Sequence, residues 1–190
     1  VIIADVDETI CESCQEISPA MAEAINVMIQ QGFTFAFISG APPEELSRMI
    51  SCRVEQEHHL LGNTGTKYLS CVNGKATYIH DHSFTLEEKR EIMSAFEHLI
   101  TEFNIVSLTT KEDQLQDRGS QITLSAIGRN APHGLKKTYD PTAEKRKEWV
   151  EFTKQHLDKE KYEIKFAGTT SIDVTRKGLD KEWGIRTFAQ

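Results

Sequence analysis

The chain has 190 residues, of which 38% are hydrophobic and 27% are charged, and its formal net charge is −7. This length is enough for one domain, or two small ones, with a substantial apolar core. The acidic balance argues against a nucleic-acid or membrane-surface partner, and no apolar run approaches the ~20 residues that a membrane-spanning helix needs. A small anionic substrate would need local help from Lys, Arg or a metal ion.

Four cysteines, with no signal peptide in these residues, predict reduced thiols and a cytoplasmic location. Cys11 and Cys14 form a C-x-x-C pair, but the second such pair that a structural zinc site needs is missing. We interpret the pair as reduced and structural, with a redox pair or a metal site as the alternative. The His58–His59 doublet and the histidines of the His80–His82 segment are interpreted as solvated loop residues.

The first third of the chain has the pattern of a parallel α/β fold. Val1–Ala4 and Phe33–Ile38 are short, apolar runs that predict buried strands. Between them, Ser18 and Pro19 predict the start of a helix whose apolar residues recur at helical spacing, namely Met21, Ile25, Met28 and Ile29. This β-α-β order implies parallel strands. A second helix from Pro42-Pro43, carrying Leu46, Met49 and Ile50, and a third strand at His59–Leu61 continue the pattern.

From about residue 76 the alternation of single strands and helices stops. Thr85 with Glu88 predicts a capping box at the start of a long helix whose apolar stripe is Ile92, Met93, Phe96, Leu99, Ile100 and Phe103. A strand at Gln121–Ile127, a helix from Thr142 and two paired strands around Gly168 follow. We therefore predict an α/β core at residues 1–75, an inserted α+β module at 76–174, and a return to the core at 175–190.

Two carboxylates follow the first strand directly, at Asp5 and Asp7. Residues i and i+2 of a strand share one face, and the carboxyl ends of parallel strands form the crevice where such sheets bind ligands. Two anions this close repel unless a cation or a proton lies between them, and their hard oxygens suit Mg²⁺. One carboxylate can attack phosphorus while the other acts as general acid and base. The alternative is a solvated strand end.

These residues and two further segments resemble the haloacid dehalogenase superfamily of phosphotransferases. "DVDET" is similar to its first motif, and the resemblance makes Asp5 the nucleophile, Asp7 the general acid/base and both of them Mg²⁺ ligands. "FAFISG" is similar to the second motif, in which Ser39 holds the phosphoryl oxygens and Gly40 contacts the substrate. "RKGLDKEWGI" is similar to the third, whose lysine is Lys181, with Lys177 as the nearby competitor. The implied fold is a Rossmann-like parallel-sheet core with an inserted α+β cap.

The insert resembles the cap of eukaryotic-type phosphomannomutases, through "RGSQITLSAIGR" and "GTTSIDVTRKGLDK". Carried over by position, Arg118 and Arg129 grip the distal phosphate of a sugar substrate, and Ser171 and Asp173 contact that phosphate and the sugar hydroxyls. Lys136 stands where the mutases have a further substrate-binding arginine. Guanidinium groups suit phosphate geometry, and a solvated strand edge is the alternative interpretation of the two arginines.

Three departures separate this chain from the mutases. Glu8 replaces the glycine of the usual "DGT", and "ICESCQE" replaces a basic stretch. The acidic fourth motif that completes the Mg²⁺ site is not in these residues. The resemblance places it shortly beyond Gln190, so we expect the core to be incomplete here.

The first functional hypothesis is a Mg²⁺-dependent phosphohydrolase that acts on a phosphorylated sugar through an aspartyl-phosphate, with the cap closing over the substrate. A phosphomannomutase is the second, and a non-catalytic phosphosugar-binding protein is the third. The resemblance also implies a possible homodimer through the cap. The sequence leaves open which phosphosugar is bound and whether water or a sugar hydroxyl accepts the phosphoryl group.

Overall fold

The computed structural model describes residues 1–12 and 15–190. The chain divides into two compact units. We call Val1–His82 together with Leu179–Gln190 the core unit, and Ser83–Gly178 the insert unit. Across the described part of the chain, no helix combines the length and apolar character that crossing a bilayer requires. Cys14 lies outside the described residues, so the interpretation of Cys11 and Cys14 as a reduced, structural pair stays a prediction.

The core unit contains a five-stranded sheet in the order β1-β2-β3-β4-β5. The first three strands are parallel and the last two are antiparallel additions. Its elements in chain order are β1 (Ile2–Asp5), α1 (Pro19–Gln30), β2 (Phe35–Ile38), α2 (Pro43–Leu46) with a π-helical turn (Ser47–Ser51), β3 (His58–Gly62), a 3₁₀ turn (Asn63–Gly65), β4 (Lys67–Val72) and β5 (Lys75–Asp81). The predicted β-α-β unit of parallel strands is confirmed.

Local signals in α1 act as the sequence predicts, with small corrections. The Ser18 hydroxyl accepts a hydrogen bond from the Met21 amide, and Pro19 is the first helical residue. Met21 itself is exposed, because Ala22 and Ile25 are the residues on the inward face. β2 is buried throughout but begins at Phe35, since Phe33 is exposed. β1 is half-buried because it lies at the edge of the sheet.

The core unit extends further along the chain than the predicted boundary at residue 75. β5 pairs with β4 through a hairpin at Asn73-Gly74, so the core sheet continues to Asp81. Nearly every residue of β5 is exposed, and such a strand lacks the apolar alternation that marks strands in a sequence. The chain returns to the core unit at Leu179 and not at residue 175, because the last strand of the insert unit continues to Arg176.

The insert unit is an antiparallel four-stranded sheet with helices, as the α+β prediction has it. The sheet order is β6-β7-β9-β8. Its elements are α3 (Leu86–Glu102), α4 (Lys111–Gln114), β6 (Leu115–Asp117), β7 (Gln121–Ser125), α5 (His133–Tyr139), α6 (Glu144–His156), β8 (Tyr162–Ala167) and β9 (Ser171–Arg176). The predicted capping box of Thr85 and Glu88 is present, whereas α6 begins at Glu144 rather than Thr142.

Side chains alternate across the two central strands of the insert sheet. Ile122 and Leu124 on β7, and Ile172 and Val174 on β9, are fully buried in one core cluster with apolar residues of α3 and α6. The residues between them are polar and face the other way, since successive strand residues point to opposite faces. One face of this sheet is therefore packed, and the other presents hydroxyl, amide and carboxyl groups.

The last helix, α7 (Lys181–Phe188), belongs to the core unit. Asp180 caps it by accepting a hydrogen bond from the Trp183 amide at 3.0 Å. The rings of His80 and His82 pack against Trp183, with centroids 5.6 and 5.1 Å away. His80 and His82 are half-buried, whereas His58 is buried on β3, where Ser51 Oγ lies 2.8 Å from its Nε2. The interpretation as solvated loop residues is wrong for His58 and His80, which lie in strands, and His82 lies in a loop but packs against Trp183.

Two glycines allow α7 to approach the 3₁₀ turn closely. A Cβ on Gly184 would lie 2.5 Å from the Thr64 carbonyl oxygen, and a Cβ on Gly65 would lie 2.4 Å from the Gly184 Cα. Real Cβ atoms do not approach backbone so closely, and backbone cannot swing aside as a flexible side chain can. This contact fixes where the first turn of α7 lies within the core unit.

A part-buried ion pair joins the first helix and the last strand of the insert unit. The Arg176 guanidinium donates to both carboxylate oxygens of Glu88, at 3.0 and 2.6 Å, and to the Ser83 carbonyl at 3.0 Å. The Thr85 amide also donates to Glu88, at 2.7 Å. The Arg176 hydrogen bond is the main reason that the pKa of Glu88 falls from 4.5 to about 2.

We expect Glu88→Gln to remove part of the acid sensitivity of the insert unit. A lowered folded-state pKa contributes stability that is complete above the unfolded pKa and is lost as the pH falls toward 2. The contribution is about 1–2 kcal/mol, since solvent screens part of the attraction. The free energy of unfolding, followed by Trp149 fluorescence in urea at pH 7 and pH 3, should fall less in Glu88→Gln than in the unsubstituted protein. Glu97→Gln, an exposed position on the same helix, is the control, and an equal fall in all three proteins would contradict the expectation.

We expect Gly184→Ala to destabilise the docking of α7 by about 2–3 kcal/mol, because the added methyl group meets backbone. Thermal unfolding followed by Trp183 fluorescence measures the effect. Gly134→Ala is the control, since a Cβ there meets no atom within 4 Å and alanine is the better helix former. A Gly184→Ala protein as stable as the control would contradict the close contact.

Candidate active site

The predicted catalytic carboxylates lie where two parallel strands of the core unit end. Asp5 is the last residue of β1, and it pairs in register with Ile38, the last residue of β2. Asp7 lies two residues after the end of β1, and Ser39 follows the end of β2 directly. Parallel strands end at the same edge of a sheet, so this register brings the first and second predicted motifs side by side.

Lys181 lies next to Asp5. Its Nζ is 2.7 Å from Asp5 Oδ1, which also accepts a hydrogen bond from the Val6 amide at 2.9 Å. Both side chains are part-exposed, at 40% and 49%, so solvent can reach the pair. Lys177, the competing lysine, belongs to the insert unit, where its Nζ lies 3.1 Å from Glu160. The two lysines therefore have distinct partners.

Ser39 links the second strand to the second carboxylate. Its hydroxyl donates to Asp7 Oδ2 at 2.9 Å and accepts from the Ala41 amide at 3.0 Å. Ser39 is only 1% exposed, so these two bonds fix the direction of its hydroxyl in a region with little solvent. Gly40, the predicted substrate-binding residue beside it, is exposed and leaves open space where a Cβ would lie.

The loop after β1 is a tight turn around one carbonyl. The amides of Thr9, Ile10 and Cys11 all donate to the Val6 carbonyl oxygen, at 2.9–3.2 Å. Glu8 has a φ of +59°, a conformation in which a side chain normally costs about 1–2 kcal/mol. The position where Glu8 replaces the glycine of the resembled motif is thus one whose backbone favours glycine.

Hydrogen bonds connect the backbone near Ser39 to the turn on which α7 docks. The Thr64 amide donates to the Ser39 carbonyl at 2.8 Å, and the Asn63 amide donates to the Ala41 carbonyl at 2.9 Å. Because Gly184 contacts this same turn, the position of Lys181 depends on backbone that also carries Ser39. Backbone contacts therefore fix the positions of these residues, and backbone deforms less readily than side chains.

The carboxylates of Asp5 and Asp7 are the donors available for a metal ion. In residues 1–12 and 15–190, no group of three or more His, Cys, Asp and Glu side chains has the arrangement of a metal site. Mg²⁺ commonly takes one or two carboxylates from a protein and completes its octahedron with waters and substrate phosphate. Two hard oxygen donors near the carboxyl ends of parallel strands fit that requirement.

A separate cavity of about 450 Å³ lies in the insert unit, over the polar face of its sheet. Every substrate-binding residue predicted for the insert lines it, namely Arg118, Arg129, Lys136, Ser171 and Asp173. It also receives His133 and Lys137 of α5, which sequence reasoning missed. The available signal was the spacing of four residues that puts both on one face of a helix, but α5 itself was not predicted.

The charge of this cavity is opposite to that of the chain. Four of its lining side chains are cationic, from Arg118, Arg129, Lys136 and Lys137, against one carboxylate, Asp173. The whole chain carries −7. A local excess of positive charge in a concave, polar site favours an anionic ligand.

Asp173 is held in the floor of the cavity. It pairs in register with Thr123, whose hydroxyl donates to Asp173 Oδ1 at 2.7 Å. Burial raises the pKa of the Asp173 carboxyl above its usual value, although the Thr123 hydrogen bond and the charge of Arg118 act in the opposite direction. A carboxyl in this position can accept hydrogen bonds from ligand hydroxyls.

A buried ion pair supports one rim of the cavity. Arg146 Nε donates to Asp140 at 2.9 Å, and its Nη1 donates to the Gly168 carbonyl at 2.6 Å. Burial alone would raise the pKa of Asp140, but these bonds from Arg146 lower it below its ordinary value. On the same rim, the Thr169 hydroxyl donates to the Lys136 carbonyl at 2.6 Å. The turn between β8 and β9 is thereby tied to α5 and α6.

Solved structures share this fold at low sequence identity. A haloacid dehalogenase-like hydrolase from Bacteroides thetaiotaomicron matches with a TM-score of 0.67 and 13% identity, over 98% of this chain and 74% of that one. The C-terminal domain of Candida albicans trehalose-6-phosphate phosphatase matches with a TM-score of 0.65 and 15% identity, over 97% and 59%. An IMP-nucleotidase from Plasmodium falciparum matches with a TM-score of 0.63 and 16% identity. The chain is covered to 96% in that match and spans about half (53%) of the Plasmodium chain.

Among curated proteins, none matches the sequence. The model of one protein family, described as haloacid dehalogenase-like hydrolase, matches residues 2–190. The match covers nearly the whole chain, including the strand ends that carry Asp5, Asp7 and Ser39 and the helix that carries Lys181. The chain belongs to the haloacid dehalogenase-like hydrolase family.

Proposed function

We propose that this protein is a Mg²⁺-dependent phosphohydrolase that acts on a phosphorylated sugar through an aspartyl-phosphate. One observation carries the proposal: Lys181 lies 2.7 Å from Asp5, and Ser39 lies 2.9 Å from Asp7, at neighbouring strand ends. A nucleophile, a second carboxylate two residues away, a hydroxyl donor and a cation are the groups that phosphoryl transfer through a carboxylate requires.

The reaction runs in two steps on these residues. An oxygen of the Asp5 carboxylate attacks phosphorus, the bond from phosphorus to the sugar oxygen breaks, and Asp7 gives its proton to that leaving oxygen. Asp7 then takes a proton from water, whose oxygen attacks the aspartyl-phosphate and releases inorganic phosphate and the Asp5 carboxylate. Lys181 offsets the charge on the phosphoryl oxygens in both steps, and the Ser39 hydroxyl orients Asp7.

Asp5 and Asp7 would hold the Mg²⁺ ion. When bound, the ion supplies positive charge that allows an anionic phosphoryl group to approach an anionic nucleophile. Without such a cation, the repulsion between the Asp5 carboxylate and a phosphate opposes binding. Lys181 alone provides one positive charge against this set.

The cavity of the insert unit supports a sugar-like substrate with anionic character. Its floor offers Ser171, Thr123 and Asp173 to hydroxyl groups, while Arg118 and Arg129 offer donors to an anion. Two structural neighbours carry the names of phosphomonoester hydrolases, a trehalose-6-phosphate phosphatase and an IMP-nucleotidase. Between a sugar phosphate and a nucleotide as substrate, the polar floor of the cavity with its one acceptor carboxyl favours the sugar phosphate.

The function is tested by incubating the protein with Mg²⁺ and mannose 1-phosphate, with and without a hexose 1,6-bisphosphate. Free phosphate and mannose 6-phosphate are followed together. Release of phosphate without isomerisation supports the phosphohydrolase. Formation of mannose 6-phosphate that depends on the bisphosphate identifies a mutase instead, and no turnover of this or of a wider panel of phosphosugars contradicts both.

We expect Asp5→Asn to lower kcat by about 10⁴-fold or more, because an amide is not a nucleophile toward phosphorus. The fold should remain, since the side chain is half-exposed and the amide keeps its shape. Circular dichroism checks the fold, and a sensitive phosphate assay checks turnover. Retained turnover in the variant would contradict the aspartyl-phosphate mechanism.

Lys181→Met should lower kcat by about 10²–10³-fold, in the range found for removal of one electrostatic stabiliser. Lys177→Met is the matched control: it removes a lysine four residues away that pairs with Glu160. Steady-state kinetics on both variants give the comparison. Equal losses in the two would show that the partner of Asp5 has no special part in the reaction.

A further inference from the structure

The side-chain amide of Gln116 lies between one cavity arginine and the backbone. On one side its Oε1 accepts a hydrogen bond from Arg118 Nη2 at 2.7 Å. On the other side its Nε2 donates to the Asp113 carbonyl at 3.0 Å. Gln116 is on β6, and both it and Arg118 line the cavity.

These two partners fix the orientation of the amide. A guanidinium only donates and a carbonyl only accepts, so the amide oxygen must face Arg118 and the amide nitrogen must face Asp113. If the amide were turned over, its NH₂ group would face the Arg118 donor and its oxygen would face the Asp113 carbonyl oxygen. The Gln116 amide is therefore a rigid link and not a side chain in contact by chance.

The same backbone carbonyl also holds the second cavity arginine. The Arg129 amide donates to the Asp113 carbonyl at 3.1 Å. The Asp113 carboxylate accepts from the Asn130 amide at 2.9 Å and from Asn130 Nδ2 at 2.7 Å. Gly128, with a φ of +94°, lets this turn pass against Thr109, where a Cβ would collide. One residue thus positions both arginines, which are eleven positions apart in sequence (118 and 129).

We propose that Gln116 is a positioning residue that holds the Arg118 guanidinium for an anionic group of the ligand. The Asp113 carbonyl, which accepts from both Gln116 and the Arg129 amide, links the two arginines. A neutral amide is suited to this task because it uses one of the five N–H groups and leaves the charge in place. A carboxylate at the same position would hold the guanidinium but compensate its charge. The inference rests on the proposed function only in taking the ligand to be a phosphorylated sugar.

The test is a double-mutant cycle read by binding. All proteins carry Asp5→Asn so that the probe, glucose 1,6-bisphosphate, is not turned over. Its Kd is measured by calorimetry for the parent, Gln116→Met, Arg118→Met and the double variant. We expect Gln116→Met to raise Kd about fivefold and Arg118→Met about ten- to thirtyfold, the range for a charge-assisted hydrogen bond. The double variant should bind no more weakly than Arg118→Met, because Gln116 acts through Arg118.

Two further variants separate positioning from general damage. Gln116→Glu should raise Kd more than Gln116→Met does, because the new carboxylate compensates Arg118. Gln114→Met removes a nearby glutamine whose amide donates to the Ala126 carbonyl at 3.0 Å, and it should lower the melting temperature while leaving Kd within about twofold.

Several results would overturn the proposal: an unchanged Kd in Gln116→Met, full additivity with Arg118→Met, a Gln114→Met effect as large as that of Gln116→Met, or no binding by the parent. Hydrolysis is measured separately in proteins with Asp5 intact. Absent hydrolysis with an intact cycle counts against the proposed function alone.

Discussion

The repulsion between the carboxylates of Asp5 and Asp7 is the constraint on which the arrangement of the core unit depends. Two anions that follow one strand repel each other and any further anion, unless cations and hydrogen-bond donors offset their charges. The core unit meets this need with Lys181 against Asp5 and the Ser39 hydroxyl against Asp7. Neither partner is close in sequence, so the fold has to deliver both. It does so through main chain: parallel register places Ser39, and the glycine contact between α7 and the 3₁₀ turn places Lys181.

The insert unit has the opposite electrostatic problem. Its cavity collects four cationic side chains, which repel each other in the absence of a ligand. Neutral groups hold two of them: Lys136 Nζ donates to the Arg129 carbonyl at 2.8 Å, and the Gln116 amide accepts from Arg118. The Asp113 carboxylate also interacts with the charges of Arg129 and Lys136. The neutral partners fix positions without removing charge, in contrast to the ion pairs of the same unit, where Glu88 meets Arg176 and Asp140 meets Arg146. The ion pairs compensate the charges of both partners, whereas the neutral partners leave the charges of Arg118 and Lys136 in place to attract an anion.

Sequence patterns predicted what local interactions decide. The Ser18 cap, the Thr85 capping box and the buried strand β2 depend on neighbours within a few residues, and all three are present. The strand β5 was missed because both of its faces are exposed, although the Asn-Gly at its start is a hairpin signal. The partners of the candidate site residues were beyond sequence reasoning for a different reason. The third motif indicated Lys181 but not its 2.7 Å contact with Asp5. That Gln116 holds Arg118 is a consequence of tertiary packing, which no spacing along the chain encodes.

Two differences from the resembled mutases, at Glu8 and Lys136, bear on the choice between hydrolase and mutase. Glu8 keeps the glycine-favouring backbone at a φ of +59°. It adds a third carboxylate three residues after Asp5, which raises the demand for a cation at this strand end. Lys136 replaces a planar fork by a point charge, and one of its three N–H groups is used on the Arg129 carbonyl. A mutase must hold either phosphate of a bisphosphorylated sugar at the same distal site, in two ligand orientations. Bidentate hydrogen bonds from an arginine to the phosphate suit this requirement. A hydrolase binds its substrate in one orientation and tolerates a less directional cation. The Lys136 ammonium therefore supports a hydrolase, in which water accepts the phosphoryl group.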